Sequence, residues 1–593
     1  MEFKIVNKLW ILFVVLFSVL FFKTVLFHWL VFHSVLISSI WHHTGLFFLF
    51  WLGKMIPATI LASFIFIIRK GWWAIALNVI VDLWCISNYI YFQSNGLFLS
   101  VDSLSMIGNM DGFWSSILPY INWRLLLYPI STIIFAVCYK LLKSEERHAI
   151  SFILTFATSL FLLIPQKLLY AERIDMERIQ SGGEINHIDT VAYKNYFDSF
   201  FPFGIVYHWA HFNQACLERD FAQDYVHTES IISFLPATFI YHCMSSGLKV
   251  KMSEKDVTTM DNLLNSRRLH KIGGYNLIIL LVESLESWAV SSQIDSFEYM
   301  PNLKGFANDS HVFFNERIKS QTLYGNSADG QMTLLTGLLP ISKGAACFLY
   351  DDNCYPSFVK SFDKSVLVNP VPDIWNQTMM TERYGLEELI EPGIGEEWND
   401  EDVISQMIQS IKLADSEFCI MGITITSHAP FKYGRLHKVY DVPGMPQVLS
   451  DYLNTLHYTD SCINVLLEYF KQSDKCNNTA LLITGDHTIF RTEDQKMDTF
   501  SELHKLGLQS GRNYVPFILY LPTLKQNYHS DEEAFQSDIY STIASQLGIG
   551  YWKGLGIDLL DTTHPNRTFT ESESYRLSDQ IIRSNYFKGI IDD

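Results

Sequence analysis

At 593 residues, with 49% hydrophobic and 15% aromatic content and a mean hydropathy of +0.12, the chain is too long for one ordinary core and more apolar than a purely soluble enzyme. A formal net charge of -18 with no long basic run argues against nucleic acid as a partner. The nine cysteines include no CxxC pair and no zinc-ribbon spacing, which argues against a structural zinc site.

The first 165 residues divide into five apolar segments: Leu9 to Phe32, Leu46 to Ile68, Trp72 to Phe92, Leu125 to Leu142 and His148 to Pro165. Each approaches the roughly 20 residues that cross a bilayer as a helix, so a five-helix transmembrane bundle is expected. Lys4, Lys8, Arg69, Lys70, Lys140, Lys143 and Arg147 all fall on one side of such a bundle, whereas 33–45 and 93–123 carry no Lys or Arg. The excess of positive charge marks the cytoplasmic side, puts the N-terminus there and delivers everything after Pro165 to the outside. Lys23, Lys54 and Asp82 fall within the spans, where charges face one another, a wet cavity or an anionic lipid headgroup. Residues 166–270 read as a juxtamembrane connector, 271–565 as an outer catalytic domain and 566–593 as a C-terminal tail. In the outer domain Cys347 and Cys354 lie close together in a polar segment, where a local disulfide is plausible outside the cytoplasm.

The outer domain opens on Asn276 to Val282, a branched, aliphatic run with the length of a strand buried on both faces, and it stops at Glu283. A carboxylate there stands at the carboxyl edge of a parallel sheet, where open α/β folds place ligands, although a residue simply starting a helix would look the same. The small residues from Gly325 to Gly330 then lead into an apolar helix from Met332, and Ser327 at that junction is either a cap or a nucleophile beside free backbone N–H groups. Further strands are expected at 365–368, Phe418 to Thr426, Ala480 to Thr484 and Val515 to Leu521, with an amphipathic helix over Leu449 to Lys471. Alternating strands and helices make this an α/β domain with a mostly parallel central sheet. Four strands end in chemically capable groups: Glu283, the segment Asn369 to Trp375, His428, and Asp486-His487.

Glu283, Asp486 and His487 offer two oxygen ligands and one nitrogen to a single divalent ion, with the hydroxyl of Ser327 as a fourth. That set suits manganese, magnesium or zinc. A hydroxyl held beside such an ion is activated near neutral pH, which fits phosphoryl transfer.

These residues resemble the alkaline phosphatase-like (sulfatase) superfamily and, with five preceding spans, its membrane-anchored lipoteichoic acid synthase and phosphoglycerol transferase group. The group's strand and Glu-Ser-Leu motif is matched by Leu281 to Leu285, and its Gly-Asp-His motif by Gly485-Asp486-His487. Its nucleophile segment, a Thr before Ser-Asp-Ala, is matched by Ser327 to Gly330, with Ser keeping the hydroxyl. The segment Thr426 to Phe431 is similar to its Ser-Asn-His-x-Pro-Phe, giving His428 a substrate-contacting or acid/base role. Leu456 to Asp460 and Gln536 to Thr542 resemble two further superfamily segments. The substrate segment Trp-Asn-Arg is matched by Trp375-Asn376-Gln377, without its Arg. No Cys/Ser-x-Pro-x-Arg sequence occurs, which disfavours sulfate-ester hydrolysis, and Tyr514 stands where two-metal relatives carry a His.

The resemblance implies a bacterial cell-envelope enzyme that moves a phosphoglycerol headgroup from a phospholipid, phosphatidylglycerol by preference, to a glycan or lipid hydroxyl through a covalent phospho-Ser327 intermediate. Phosphoethanolamine transfer, hydrolysis at the same site, and a non-catalytic membrane-anchored sensor are the alternatives.

Overall fold

A computed structural model describes residues 2–32, 44–67, 72–95, 98–99, 120–142, 150–159, 161–162, 230–234, 239 and 252–266. It further describes 274–591 apart from 292, 295, 342–343, 393–398, 430, 432–436, 441–443, 490–513 and 562–566. Residues 1–104 with 117–248 form one compact unit, and 105–116 with 249–593 form a second. Most of the expected connector over 166–270 lies outside the described residues.

Among the described residues the first unit has four long helices, α1 (Glu2–Phe32), α2 (Thr44–Ile67), α3 (Trp72–Asn95) and α4 (Leu127–Leu142), and a shorter apolar helix over Ile150–Ser159. Among the described residues three stretches are long and apolar enough to cross a membrane: Lys8–Val31, Trp72–Gln93 and Trp123–Leu142. Two of the charges within these apolar helices pair. Lys23 Nζ lies 2.7 Å from Asp82 Oδ1 and also donates to Asn78 Oδ1 and Thr132 Oγ1, tying α1 to α3 and α4. A charge buried among apolar helices is tolerable when its partners are supplied in this way. Lys54 is buried in the same unit.

In the second unit α5 (Glu254–Ser266) precedes a nine-stranded sheet. Its strands are β1 (Asn276–Val282), β2 (Val312–Lys319), β3 (Lys364–Val368), β4 (Glu388–Ile390), β5 (Phe418–Ile423), β6 (Thr479–Gly485), β7 (Tyr514–Tyr520), β8 (Tyr528–Ser530) and β9 (Ala534–Phe535). The spatial order is β8-β2-β7-β6-β1-β5-β3-β4, with β9 also paired to β2. Only β7 runs against its neighbours, so the sheet is mostly parallel. The intervening helices are α6 (Asn326–Thr336), α7 (Gln377–Tyr384), α8 (Asp400–Leu413), α9 (Gln447–Gln472) and α10 (Gln536–Leu547). Central β1 is an unbroken aliphatic run because helices cover both faces of the sheet: Leu277 to Val282 are all buried.

Three sequence expectations shift. The strand expected through Thr426 ends at Ile423, since the Thr424 hydroxyl accepts the Glu283 N–H and the N–H groups of Ile425 and Thr426 turn to the Asp400 carboxylate. The expected tail carries a helix, α11 (Glu571–Ser584), whose Ser578 Oγ bonds Leu339 on both its N–H and carbonyl. Cys347 and Cys354 are not joined in a disulfide. Burial pushes the Cys347 thiol well above its ordinary pKa.

Candidate active site and metal centre

Adjacent parallel strands bring two ends of chain together. Val282 of β1 registers with Gly485 of β6, so Glu283 and Asp486, the next residue of each, emerge side by side. The main chain can cross so closely only with glycine on β6, since a Cβ on Gly485 would lie 2.3 Å from the Leu285 carbonyl oxygen. Gly330 of α6 meets the same constraint, its Cβ position being 2.3 Å from the Asp486 carbonyl oxygen. The Gly-Asp-His and Ala-Asp-Gly segments therefore pack backbone to backbone, which sets Ser327 over the ends of β1 and β6.

Ser327 is the second residue of α6, whose N-cap position is Gly325. The start of the helix is shaped by Asp329, whose Oδ2 accepts from the N–H groups of Leu323 and Gly325 at 2.8 and 2.9 Å. Ser327 Oγ lies 3.2 Å from Glu283 Oε2 and 3.2 Å from His487 Nε2. His487 Nε2 is in turn 3.5 Å from both Glu283 Oε1 and Asp486 Oδ2. Ligand atoms of Glu283, Asp486 and His487 all lie within 4.8 Å of one another.

The fit of this cluster to a cation rests on its unsatisfied groups. Asp486 Oδ1 accepts from the N–H groups of Ser284 and His487, both at 2.7 Å, while the buried Oδ2 has no hydrogen-bond partner among the described residues. A buried carboxylate oxygen left so is costly unless a cation meets it. Burial first, and the Asp486 carboxylate second, hold the Glu283 carboxyl well above the usual carboxylate range. His487 Nδ1 stands 3.1 Å from the Thr488 carbonyl, which can only accept, so Nδ1 carries the proton and Nε2 offers its lone pair to the cluster. The residues therefore suit a divalent ion held by Glu283, Asp486, His487 and the Ser327 hydroxyl.

A pocket opens from this centre, lined among others by Glu283, Ser327, Gln331, Asn369, Trp375, Gln377 and His428. His428 Nδ1 lies 2.7 Å from the Ala429 carbonyl, so its neutral ring carries the lone pair on Nε2. Its loop is held by buried Asp400, which accepts from Ile425 N, Thr426 N and Thr459 Oγ1. Trp375 and Asn376 both adopt left-handed backbone angles, with φ of 56° and 52°. Unlike its two neighbours, Asn376 does not line the pocket: its Nδ2 donates to the Cys347 carbonyl and to Asp351 Oδ2. Asp400 and Gln331 were not singled out by sequence reasoning. The visible signal for Gln331 was its spacing, four residues after Ser327 and on the same helix face.

A sulfatase family model matches residues 275–549, and a lipoteichoic acid synthase N-terminal domain model matches 1–180. The chain thus joins a lipoteichoic acid synthase-type N-terminal domain to a sulfatase-type domain. Lipoteichoic acid synthase-like YvgJ of Bacillus subtilis is 23% identical over 337 residues, 53% of this chain and 54% of that protein. The chain thus matches little more than half the length of that relative. Lipoteichoic acid synthase of Staphylococcus aureus is 21% identical over 553 residues, 86% of this chain and 78% of that protein. Among solved structures, the integral membrane lipooligosaccharide phosphoethanolamine transferase A of Neisseria meningitidis superposes with a TM-score of 0.52 at 12% identity, covering 91% of this chain and 96% of that one. That likeness concerns the fold, a sulfatase-like domain following N-terminal apolar helices.

Proposed function

We propose that the chain is a membrane-anchored, metal-dependent phosphotransferase that moves a phosphoglycerol headgroup from a phospholipid to a glycan or lipid hydroxyl through Ser327. The observation that carries this reading is the position of Ser327 Oγ, 3.2 Å from both Glu283 Oε2 and His487 Nε2 in a cluster that also leaves Asp486 Oδ2 unpartnered. A divalent ion bound there, manganese, magnesium or zinc, would supply the positive charge that acidifies the serine hydroxyl and neutralises the oxygens on phosphorus.

The residues then divide the work. Ser327 Oγ forms a bond to the donor phosphorus as the bond to the diacylglycerol oxygen breaks, and diacylglycerol leaves with a proton. This gives a phosphodiester between Ser327 and the headgroup. The acceptor hydroxyl attacks the same phosphorus, loses its proton and returns the serine hydroxyl. His428, on the pocket wall, is the group that gives and takes protons at the departing and arriving oxygens. Trp375 and Gln377 contact the headgroup.

Five spans, an N-terminus in the cytoplasm and a catalytic domain on the outer face suit a lipid donor, because anchoring keeps the site near its substrate. The names of the lipoteichoic acid synthase relatives favour glycerol phosphate as the headgroup and phosphatidylglycerol as the donor. The likeness to a phosphoethanolamine transferase keeps that headgroup as the second reading.

Purified full-length chain, given phosphatidylglycerol or phosphatidylethanolamine with labelled acyl tails, tests the proposal. Diacylglycerol release from phosphatidylglycerol, lost with EDTA and in Ser327→Ala, is expected. Equal release with water as sole acceptor makes the protein a hydrolase. No release from either lipid, with metal bound, makes it a sensor.

A further inference from the structure

Beyond the Glu283 and Ser327 end of the pocket the lining carries no fixed charge. Among the described residues lining it there is no Lys or Arg, and Glu283, a ligand of the cluster, is the one carboxylate. In place of charge stand three buried amides, Asn369, Gln331 and Gln377, of which Asn369 accepts from Val371 N through its Oδ1. Gln331 is 1% exposed and Gln377 4%, yet Gln331 Nε2, Gln331 Oε1 and Gln377 Oε1 have no hydrogen-bond partner among the described residues. Both residues are fixed by helices: Gln331 sits on α6 one turn beyond Ser327, and Gln377 begins α7 directly after the left-handed pair Trp375-Asn376.

Buried polar groups in proteins are nearly always satisfied, and leaving them unpaired is costly, so this wall is complementary to a ligand group. The donor and acceptor pattern says which kind. An ammonium only donates: it would meet the two Oε1 atoms and leave Gln331 Nε2 orphaned. A second phosphate or a carboxylate only accepts and would leave both Oε1 atoms orphaned. A hydroxyl both donates and accepts, and a diol does so twice. Exchanging the oxygen and nitrogen of Gln331 alters nothing, since both its ends are unpartnered.

We infer that Gln331 and Gln377 form a hydroxyl-recognising subsite that selects a neutral polyol headgroup over an amino-alcohol or a second anion. The inference rests on the transferase reading for its substrate and supplies the specificity-determining residues. The uncharged Gln377, where relatives of the resembled group carry Arg, recognises the alcohol part of the headgroup and leaves the phosphoryl charge to the metal cluster.

The test uses full-length chain in detergent with Mn2+ and two readouts. One is diacylglycerol release from phosphatidylglycerol and phosphatidylethanolamine with identical tails. The other is calorimetric binding of glycerol 1-phosphate and of phosphoethanolamine, which needs no turnover. The native chain is expected to favour the glycerol form in both. Gln331→Met and Gln377→Met, which keep side-chain length, should each reduce that preference about tenfold. Gln331→Glu should shift preference toward phosphoethanolamine, a gain that misfolding cannot produce. Equal handling of the two headgroups by the native chain, including no binding of either, overturns the subsite, as does a preference that none of the three substitutions moves. If no diacylglycerol is released from either lipid but the binding preference holds and falls in the variants, the transferase reading fails and the subsite stands.

Discussion

Gln536 Nε2, at the first residue of α10, lies 2.7 Å from the carbonyl oxygen of Asp486. Gln536 Oε1 in turn accepts from Gln321 N at 2.7 Å, so one amide joins the loop before Ser327 to the backbone of Asp486, a proposed metal ligand. Gln536→Leu should leave that buried carbonyl unpaired, at about 1–3 kcal/mol of stability. It should also weaken binding of Mn2+ by roughly 10- to 100-fold, as loss of outer support does at metal sites. Calorimetric titration with Mn2+, with a thermal melt alongside, reads both effects. Unchanged affinity would mean that Asp486 is held without its help.

The buried Glu283 predicts a pH signature. Burial and the Asp486 carboxylate raise its pKa in the folded chain. The metal-free folded chain therefore binds this proton more tightly than the unfolded chain. Its contribution to stability is full below the ordinary carboxylate value and is lost as pH rises through the raised one. Metal requires the ionised carboxylate, so affinity should rise with pH across the same window, with proton release. Melting curves against pH, with EDTA and with Mn2+, should slope in opposite directions, and Glu283→Gln should flatten the metal-free slope.

Two consecutive left-handed residues other than glycine, Trp375 and Asn376, cost on the order of 1 kcal/mol or more each unless their surroundings hold them. Asn376 supplies the hold through Cys347 and Asp351, and Trp375 faces the pocket as a result. Asn376→Ala should raise KM for the lipid donor about tenfold while changing kcat less, because it misplaces a binding surface and leaves the metal cluster alone. Equal loss in kcat would instead make Asn376 part of the chemical step.

Residues at the ends of apolar strands were legible in the sequence. Glu283 directly follows an aliphatic run and Asp486-His487 closes a short apolar strand through Thr484-Gly485, and β1 spans the residues its composition predicts. Less legible were side chains whose meaning depends on distant partners. Asp400 looks like an acidic residue of an exposed helix start, and it is the contacts with Ile425, Thr426 and Thr459 that make it the support of the His428 loop. Strand β2 was unreadable because its polar middle, Asn315 to Arg317, coincides with an irregular register against β7. Helix α11 passed for a tail although Ser574, Tyr575, Leu577, Ser578, Ile581 and Ile582 form a buried stripe, because its apolar residues are few and diluted by charge.

Mass spectrometry of the Ser327 peptide, after incubation of the full-length chain with phosphatidylglycerol and Mn2+ and rapid acid quenching, tests the central claim most directly. A glycerophosphoryl adduct on Ser327, absent in Ser327→Ala and under EDTA, is predicted. Diacylglycerol release that proceeds undiminished in Ser327→Ala, with no adduct on the native peptide, would contradict it.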